Sequence, residues 1–555
     1  MSAAAVMDFD LPDLMVRELL GKIGQDTALA KHLGDYIGES RPGRSSRYMV
    51  PARLFDAESL NTLYTMSRNN DERVLMFQLL ALDNIHAAPE ARKVPKIELL
   101  INGLIAYLKR DAIDGWLYRR SPDGVLLPWM VTGMRHIAPA EGTPYVIVSL
   151  LANTMQAAGN EARNDARQRY AGMTQAIVVD ANDIIDRSIP ELLAERGYYK
   201  ECAEFKQEYE RHVETFRRMQ SQFGRQFTAV RAGWFIGNKG PLGQLEYTRL
   251  AEHGGVRCVN DEEMLERRFD MSIDPTFWRD AGAEEGFDRI PMHCYLYLFN
   301  LELHRNFWVH VQNVEPYRYK PELREKLVLP SAHRDLIDIL TADMEVLAED
   351  IIEGKSGGTT ILCKGAPGLG KTLTAEVYAE VVGKPLYRVH SGQLGVTADS
   401  VEASLTQILR RAARWGAILL LDEADVYIRK RDNDLQHNAI VAEFLRTLEY
   451  FDGLLFMTTN RTDDVDDAIL SRCIAVIRYD IPPPDAARQL WKTLAAQFGA
   501  DIPEDMLEGL LRKYPQLSGR DIKELLKLVT RYCTRKQLPL SDDVFALCAM
   551  FRGIV

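Results

Sequence analysis

Cysteine is scarce and unpaired in this 555-residue chain. The seven cysteines (Cys202, Cys258, Cys294, Cys363, Cys473, Cys533 and Cys548) are scattered, odd in number and form no C-x-x-C pair. Neither a disulfide framework nor a zinc knuckle is expected; the thiols read as small buried hydrophobes in a reducing compartment. Positive charge is also in deficit, with 68 Lys and Arg against 79 Asp and Glu, a net charge of −11. Sequence-independent nucleic-acid binders draw their affinity from phosphate neutralisation, so this balance disfavours a nucleic-acid partner. No apolar run approaches the roughly 18 to 20 residues needed to cross a bilayer, so no membrane span is expected. Met1 to Leu14 is acidic and lacks the basic-then-apolar layout of a secretion signal, so a cytoplasmic location is expected. Internal repeats and low-complexity tracts are missing too.

What remains is ordinary globular protein, 46% hydrophobic and 26% charged. Its length exceeds what one hydrophobic core supports, so several domains are expected. Residues 1–157 read as an α+β domain, in which Trp116 to Arg120, a Pro122-Asp123-Gly124 turn and Val125 to Met134 form a hairpin, joined by a third strand at Tyr145 to Leu151. Residues 158–223 are charged and read as a helical segment, with an apolar stripe at Phe205, Tyr209, Val213 and Phe216. Residues 224–324 are β-rich. There, Cys294 to Glu302 and Phe307 to Val314 pair around a turn at His304-Arg305-Asn306. His293, Cys294, His304 and His310 fit no zinc template in their spacing and read as structural. A Pro- and Tyr-rich stretch, Pro316 to Pro321, marks a boundary. Beyond it strands and helices alternate as in an α/β domain, 325–484, followed by an all-helical 485–555.

The chemistry sits in that last part. Thr359 to Lys364 is a short apolar strand running into Gly365-Ala366-Pro367-Gly368-Leu369-Gly370-Lys371-Thr372, and a helical segment follows. This is the phosphate-binding loop in its strand–loop–helix context. Its glycines let backbone N–H groups converge on phosphates at a helix N-terminus. Lys371, expected to face solvent in the empty protein, would reach the β- and γ-phosphates, and the Thr372 hydroxyl would ligate Mg²⁺. The loop through Leu373 supplies the candidate ATP contacts Gly365, Pro367, Gly368, Leu369, Gly370, Lys371, Thr372 and Leu373.

Downstream, the fully apolar strand Ala417 to Leu421 ends in Asp422-Glu423-Ala424-Asp425. Acidic residues at the C-terminal end of a buried parallel strand lie where α/β sheets place ligands. Asp422 can hold Mg²⁺ through water, and Glu423 can orient and deprotonate the attacking water. A further apolar strand, Leu454 to Met457, leads to Thr458-Thr459-Asn460, whose amide can position that water. Arg472, in Asp467-Ala468-Ile469-Leu470-Ser471-Arg472, offers a guanidinium to neutralise charge that develops on the γ-phosphate.

Phosphate loop, D-E-A-D box, T-T-N strand end and D-x-A-x-x-S-R, in this order, resemble the AAA+ ATPases. The similarity covers about residues 325 to 555. It is greatest to a group of AAA proteins with long N-terminal regions and a T-T-N-R…S-R pattern. The resemblance implies a doubly wound parallel sheet with a helical lid, ATP and Mg²⁺ as cofactors, and a homo-oligomeric ring, most often of six. Asn460 would be sensor 1, Arg472 the finger acting on a neighbour's ATP, and Arg520, in Ser518-Gly519-Arg520-Asp521, the sensor 2 residue. The implied function is ATP-driven remodelling of a protein or assembly recognised through residues 1–320. A nucleotide-switched scaffold and a DNA-directed ATPase are the alternatives. Two departures stand out. The first pore-loop stretch, Gly392 to Asp399, has no aromatic residue, which argues against processive threading. The second, Ile428 to Asp434, is a charged run that reads as a solvated face.

Overall fold

A computed structural model describes residues 8–554, apart from 25, 40–46, 52–53, 71, 73–74, 77–78, 80–92, 156–172, 232, 240–244, 250–254, 263–270, 273–286, 343–357, 396, 432–433 and 450. The readings of Met1 to Met7, of the start of the segment 158–223, of Val396 and of Asp432-Asn433 lie outside the described residues.

The first part of the chain is α+β. A short antiparallel pair, Asp8–Pro12 with Arg47–Pro51, packs on helices Asp13–Lys22, Ala28–Glu39 and Ala57–Asn69. A five-stranded antiparallel sheet follows, in the spatial order Met173–Asp180, Tyr145–Ala152, Leu126–Ile137, Trp116–Arg120 and Tyr198–Lys200. The hairpin and third strand read from the sequence are all present.

The segment 158–223 needs correction, because it is not helical throughout. Met173–Asp180 is a strand, paired along its length with Tyr145–Ala152. Its side chains alternate, Ile177 and Val179 buried and Val178 exposed, and this period of two marks a half-buried strand. Tyr198–Lys200 is a further strand, at the sheet edge. Helix α1, Ala203–Gln220, begins only after it. Its stripe joins two layers. Phe205 and Tyr209 pack with Trp116 and Tyr118 of the five-stranded sheet, and Phe216 packs against the next sheet.

That next sheet has seven antiparallel strands. Its central hairpin consists of β1, Tyr295–Asn300, and β2, Arg305–His310. The turn differs from expectation: it spans Leu301 to His304, while Arg305 and Asn306 are already in the strand. The Asn300 carboxamide oxygen accepts from the N–H groups of Glu302 and Leu303, at 2.9 Å each, and so starts the turn earlier. His304 closes it in the left-handed region, φ 53°. The histidines have separate protein partners. The two His293 ring nitrogens lie 2.9 Å from Thr154 Oγ1 and 2.8 Å from the Pro128 carbonyl, and burial pushes its pKa down to about 4. His310 Nδ1 accepts from the Gln312 N–H.

The C-terminal part is a five-stranded parallel sheet. Its strands are β3 (Thr359–Gly365), β4 (Leu386–His390), β5 (Ile418–Asp422), β6 (Leu454–Thr459) and β7 (Ala475–Tyr479), in the spatial order β4-β5-β6-β3-β7. β5 and β6 are buried on both faces, as a parallel sheet covered by helices requires. Helices α2, Lys371–Val382, and α3, Ala398–Trp415, belong to this layer, and the short α4, Asp467–Arg472, precedes β7. Four helices complete the chain, Pro484–Gln497, Glu504–Lys513, α5 (Gly519–Lys536) and Asp542–Phe551, around a core of their own. The fold is thus α/β in its C-terminal part, a parallel-sheet core with a helical lid, preceded by a mixed α+β region.

The two halves share a core. Val259 and Phe299 of the seven-stranded sheet and Leu301 of its hairpin turn lie in one buried cluster with Tyr387, Leu405, Trp415 and Leu419. Gly224 abuts the end of α3 so closely that an added Cβ would lie 2.9 Å from the Trp415 Cα, and its φ of +72° suits glycine.

Candidate functional site

The loop between β3 and α2 places its glycines where other residues would strain. Gly368 and Gly370 have φ of +83° and +98°. A Cβ on Gly368 would sit 2.8 Å from the Ser518 hydroxyl and 2.9 Å from the Arg520 Cβ. The lid therefore rests directly on the phosphate loop. The Arg520 N–H donates to the Gly368 carbonyl at 3.2 Å, and Ser518 caps α5 in a capping box with Asp521.

Lys371 corrects one expectation. It does not face solvent but is 7% exposed. Its ammonium donates to the carbonyls of Gly365 (2.7 Å) and Ala366 (2.8 Å) and to Asn460 Oδ1 (2.9 Å). The loop carbonyls need a donor when no phosphate is present, and a buried ammonium needs acceptors, so each satisfies the other. Burial depresses the Lys371 pKa, opposed by the nearby Asp425 and Asp422 carboxylates. Lys371→Ala is thus expected to do two things. It should lose detectable ATP binding, read by calorimetric titration, and it should destabilise the empty protein by roughly 1–3 kcal/mol, since it leaves the buried Gly365 carbonyl without its donor. A variant that binds ATP with near-native affinity would overturn the phosphate-loop assignment.

At the tip of β5 the Asp422 carboxylate is 4% exposed and fully engaged. Oδ1 accepts from Thr372 Oγ1 (2.8 Å) and Thr458 Oγ1 (2.6 Å), and Oδ2 from Arg388 Nη2 (2.6 Å). Burial pushes its pKa up, but the two hydroxyls and the guanidinium outweigh it and the net shift is downward. Glu423 follows in the left-handed region, φ 54°, with its side chain exposed. Such a conformation costs a non-glycine residue about 1 kcal/mol or more. Here the Glu423 N–H is anchored on Thr458 Oγ1 at 3.0 Å. Asp425 accepts from the Thr459 hydroxyl and, at 3.1 Å, from the Asn460 N–H. The T-T-N strand end and the acidic turn are thus laced together.

The structure brings Gly365, Gly368, Lys371, Thr372, Asp422, Asn460 and the Arg520 backbone into one connected cluster. Pro367, Leu369, Gly370 and Leu373 belong to the same loop and the first turn of α2, with Leu373 half exposed. Arg472 is not in this cluster. It ends α4, donates to Glu449 Oε1 at 2.9 Å and to the Ala468 carbonyl at 3.2 Å, and is about one-third exposed. Sequence reasoning missed Thr458, Thr459 and Asp425 as organisers of the site, although polar residues ending an apolar strand were a signal. It also missed Arg388, an arginine inside the otherwise apolar and aromatic stretch Leu386-Tyr387-Arg388-Val389 of β4.

The described residues of the stretches that the resemblance likens to pore loops are anchored. The Tyr427 hydroxyl bonds to the carbonyls of Ser391 (2.8 Å) and Gly395 (2.9 Å), and Leu394 is buried. The charged run is only partly a solvated face, because Arg431 pairs with the buried Asp466 at 3.0 Å and Arg429 bridges Val465.

A phosphate loop on a parallel sheet, a buried acidic strand end and a lid seated on the loop together define a nucleotide-binding P-loop ATPase domain. Residues 361–481 match the family model described as ATPase family associated with various cellular activities (AAA). This part of the chain is an AAA+ ATPase domain.

Among relatives, an uncharacterized AAA family ATPase, y4kL, of Sinorhizobium fredii is 31% identical over 176 residues, covering 30% of this chain and 52% of its own. The ATPase family AAA domain-containing protein FIGL1 of Arabidopsis thaliana is 26% identical over 211 residues, 36% of this chain and 31% of its own. The chain spans about half or less of the length of these relatives. A crystal structure of a FIGL-1 AAA domain aligns with 42% of this chain and 84% of that one, at 19% identity and a TM-score of 0.34.

Proposed function

We propose that this protein is a Mg²⁺-dependent ATPase that works as a ring, most often of six, and remodels a protein or protein assembly engaged by residues 1–320. The observation that carries the reading is the cluster at the β3, β5 and β6 strand ends, where Lys371, Thr372, Asp422 and Asn460 converge beneath the docked lid. In it, Lys371 would exchange its loop carbonyls and Asn460 for phosphate oxygens. Glu423, held exposed by its backbone anchor, would orient and deprotonate the lytic water, and Asn460 would position that water. Arg472 would act on the ATP of the adjacent protomer, which is consistent with its place outside the cluster. Arg520 would close the lid over the nucleotide.

Thr372 Oγ1 and Asp422 Oδ1, 2.8 Å apart, are hard oxygen donors of the kind Mg²⁺ takes. Once bound there, the ion would neutralise charge on the β- and γ-phosphate oxygens. Residues 325–484 would be the motor core, 485–555 the lid, and the segments 1–157, 158–223 and 224–324 the recognition region. Among the described residues no helix is long and apolar enough to cross a membrane.

Steady-state ATP turnover, with and without candidate protein partners, tests the reading: a turnover that no partner changes would favour a nucleotide-switched scaffold. The pore loops sharpen it. Lacking an aromatic grip and tied down by Tyr427, the ring should fail to unfold a stable tagged model protein while it hydrolyses ATP. Charge reversal across Arg429-Lys430-Arg431 should alter turnover or partner engagement more than substitution of Val396. Robust unfolding that is lost on changing Val396 would establish a threading motor instead.

A further inference from the structure

β4 is an edge strand of the parallel sheet, and the seven-stranded sheet is seated on it. The tip of the β1–β2 hairpin supplies the contact. The Phe299 and His304 rings lie 5.6 and 5.4 Å from the Tyr387 ring, and Phe299 lies 5.0 Å from Trp415. Arg411 of α3 stacks over Phe299 at 4.4 Å. Asp261 clamps the joint, accepting from Trp415 Nε1 at 3.0 Å and from Asn306 at 2.7 Å. Both rings thus pack on Tyr387, the residue that precedes Arg388 in β4.

Arg388 therefore faces two ways. The hairpin tip packs on its chain neighbour Tyr387, and its own guanidinium reaches the nucleotide cluster. There Nη2 donates to Asp422 Oδ2 at 2.6 Å, and Nη1 lies 3.3 Å from Glu376 of α2. A cation bound at Asp422 and Thr372 would share that carboxylate with a positive guanidinium, so the two compete electrostatically. The closer the hairpin holds β4 and its arginine to Asp422, the weaker the hold on the cation.

We propose that Arg388 is a positioning residue that relays the state of the N-terminal sheet to Asp422, so that contacts at the His304 hairpin tip set the Mg²⁺ demand of the nucleotide site. The inference rests on the reading of Asp422 as the carboxylate facing Mg²⁺-nucleotide.

The experiment uses the full chain and a non-hydrolysable ATP analogue, with binding titrated calorimetrically against Mg²⁺ and repeated in EDTA. An adjacent arginine lowers a carboxylate's proton affinity about 10- to 1,000-fold, and the lower end suits a guanidinium that is 40% exposed. Arg388→Met should accordingly reduce the Mg²⁺ needed for half-maximal binding about tenfold. Arg388→Lys, which keeps the charge, should stay within about twofold of wild type. His304→Ala, outside the nucleotide cluster, should shift the Mg²⁺ demand in the same direction as Arg388→Met but by less, and leave affinity in EDTA unchanged. The double variant should match Arg388→Met alone, since the histidine acts through the arginine. An unmoved Mg²⁺ demand in Arg388→Met or His304→Ala, additive shifts in the double variant, or a Lys variant that behaves like the Met variant would each overturn the relay. Wild-type protein that binds no analogue with Mg²⁺ would overturn the ATPase reading itself, and the relay with it.

Discussion

Arg472→Ala is expected to lower ATP turnover by roughly 10³–10⁵-fold while leaving ATP binding intact, because an arginine finger contributes on that scale to phosphoryl transfer. The side chain pairs with Glu449 and touches no residue of the phosphate loop, so its loss should not disturb the protomer's own pocket. The ion pair is about one-third exposed, and such surface pairs contribute little to stability, so the variant should fold. The decisive measurement mixes Arg472→Ala with Lys371→Ala. The first has a good pocket and no finger, the second an empty pocket and an intact finger. Interfaces that join the two should recover part of the activity, and the recovery should grow with protein concentration, as assembly does. If mixing restores nothing although the variants co-assemble, Arg472 does not act in trans and the ring loses its main support.

Glu423→Gln should bind ATP and lose roughly 10²–10⁴-fold in turnover, the scale of a missing general base. The substitution keeps shape, and the exposed side chain holds none of the site's structural hydrogen bonds; only the backbone N–H is anchored, on Thr458. Any oligomer should become more persistent, since the ATP state is no longer discharged. Rapid-quench measurement of a single turnover separates chemistry from product release. Near-wild-type hydrolysis by this variant would remove Glu423 from the mechanism. The same variant, trapped with ATP, offers a route to the protein partner by pull-down.

These outcomes bear on a site that was legible from local pattern. A phosphate loop is read from sequence because its demands are local: glycines at left-handed positions and a lysine and a threonine opening a helix. Gly368, Gly370, Lys371 and Thr372 are contiguous, and the acidic ending of β5 announces itself because charge follows a run of buried aliphatics. The parallel sheet follows from the same alternation. Met173–Asp180 was lost for a local reason too, since an eight-residue strand with two buried aliphatics is hard to tell from its charged surroundings.

Sequence alone determined the phosphate loop, the acidic strand end and the helical lid, because each is specified by residues adjacent in the chain. Tertiary structure decided the rest. The burial of Lys371 comes from Asn460, 89 positions away, and from the loop's own unpaired carbonyls. The hold of Arg388 on Asp422 comes from pairing β4 beside β5, and the seat of His304 and Phe299 on β4 joins two sheets far apart in the chain. No periodicity encodes these contacts. They arise when burial brings distant polar groups together out of water, where each must find a partner or destabilise the fold.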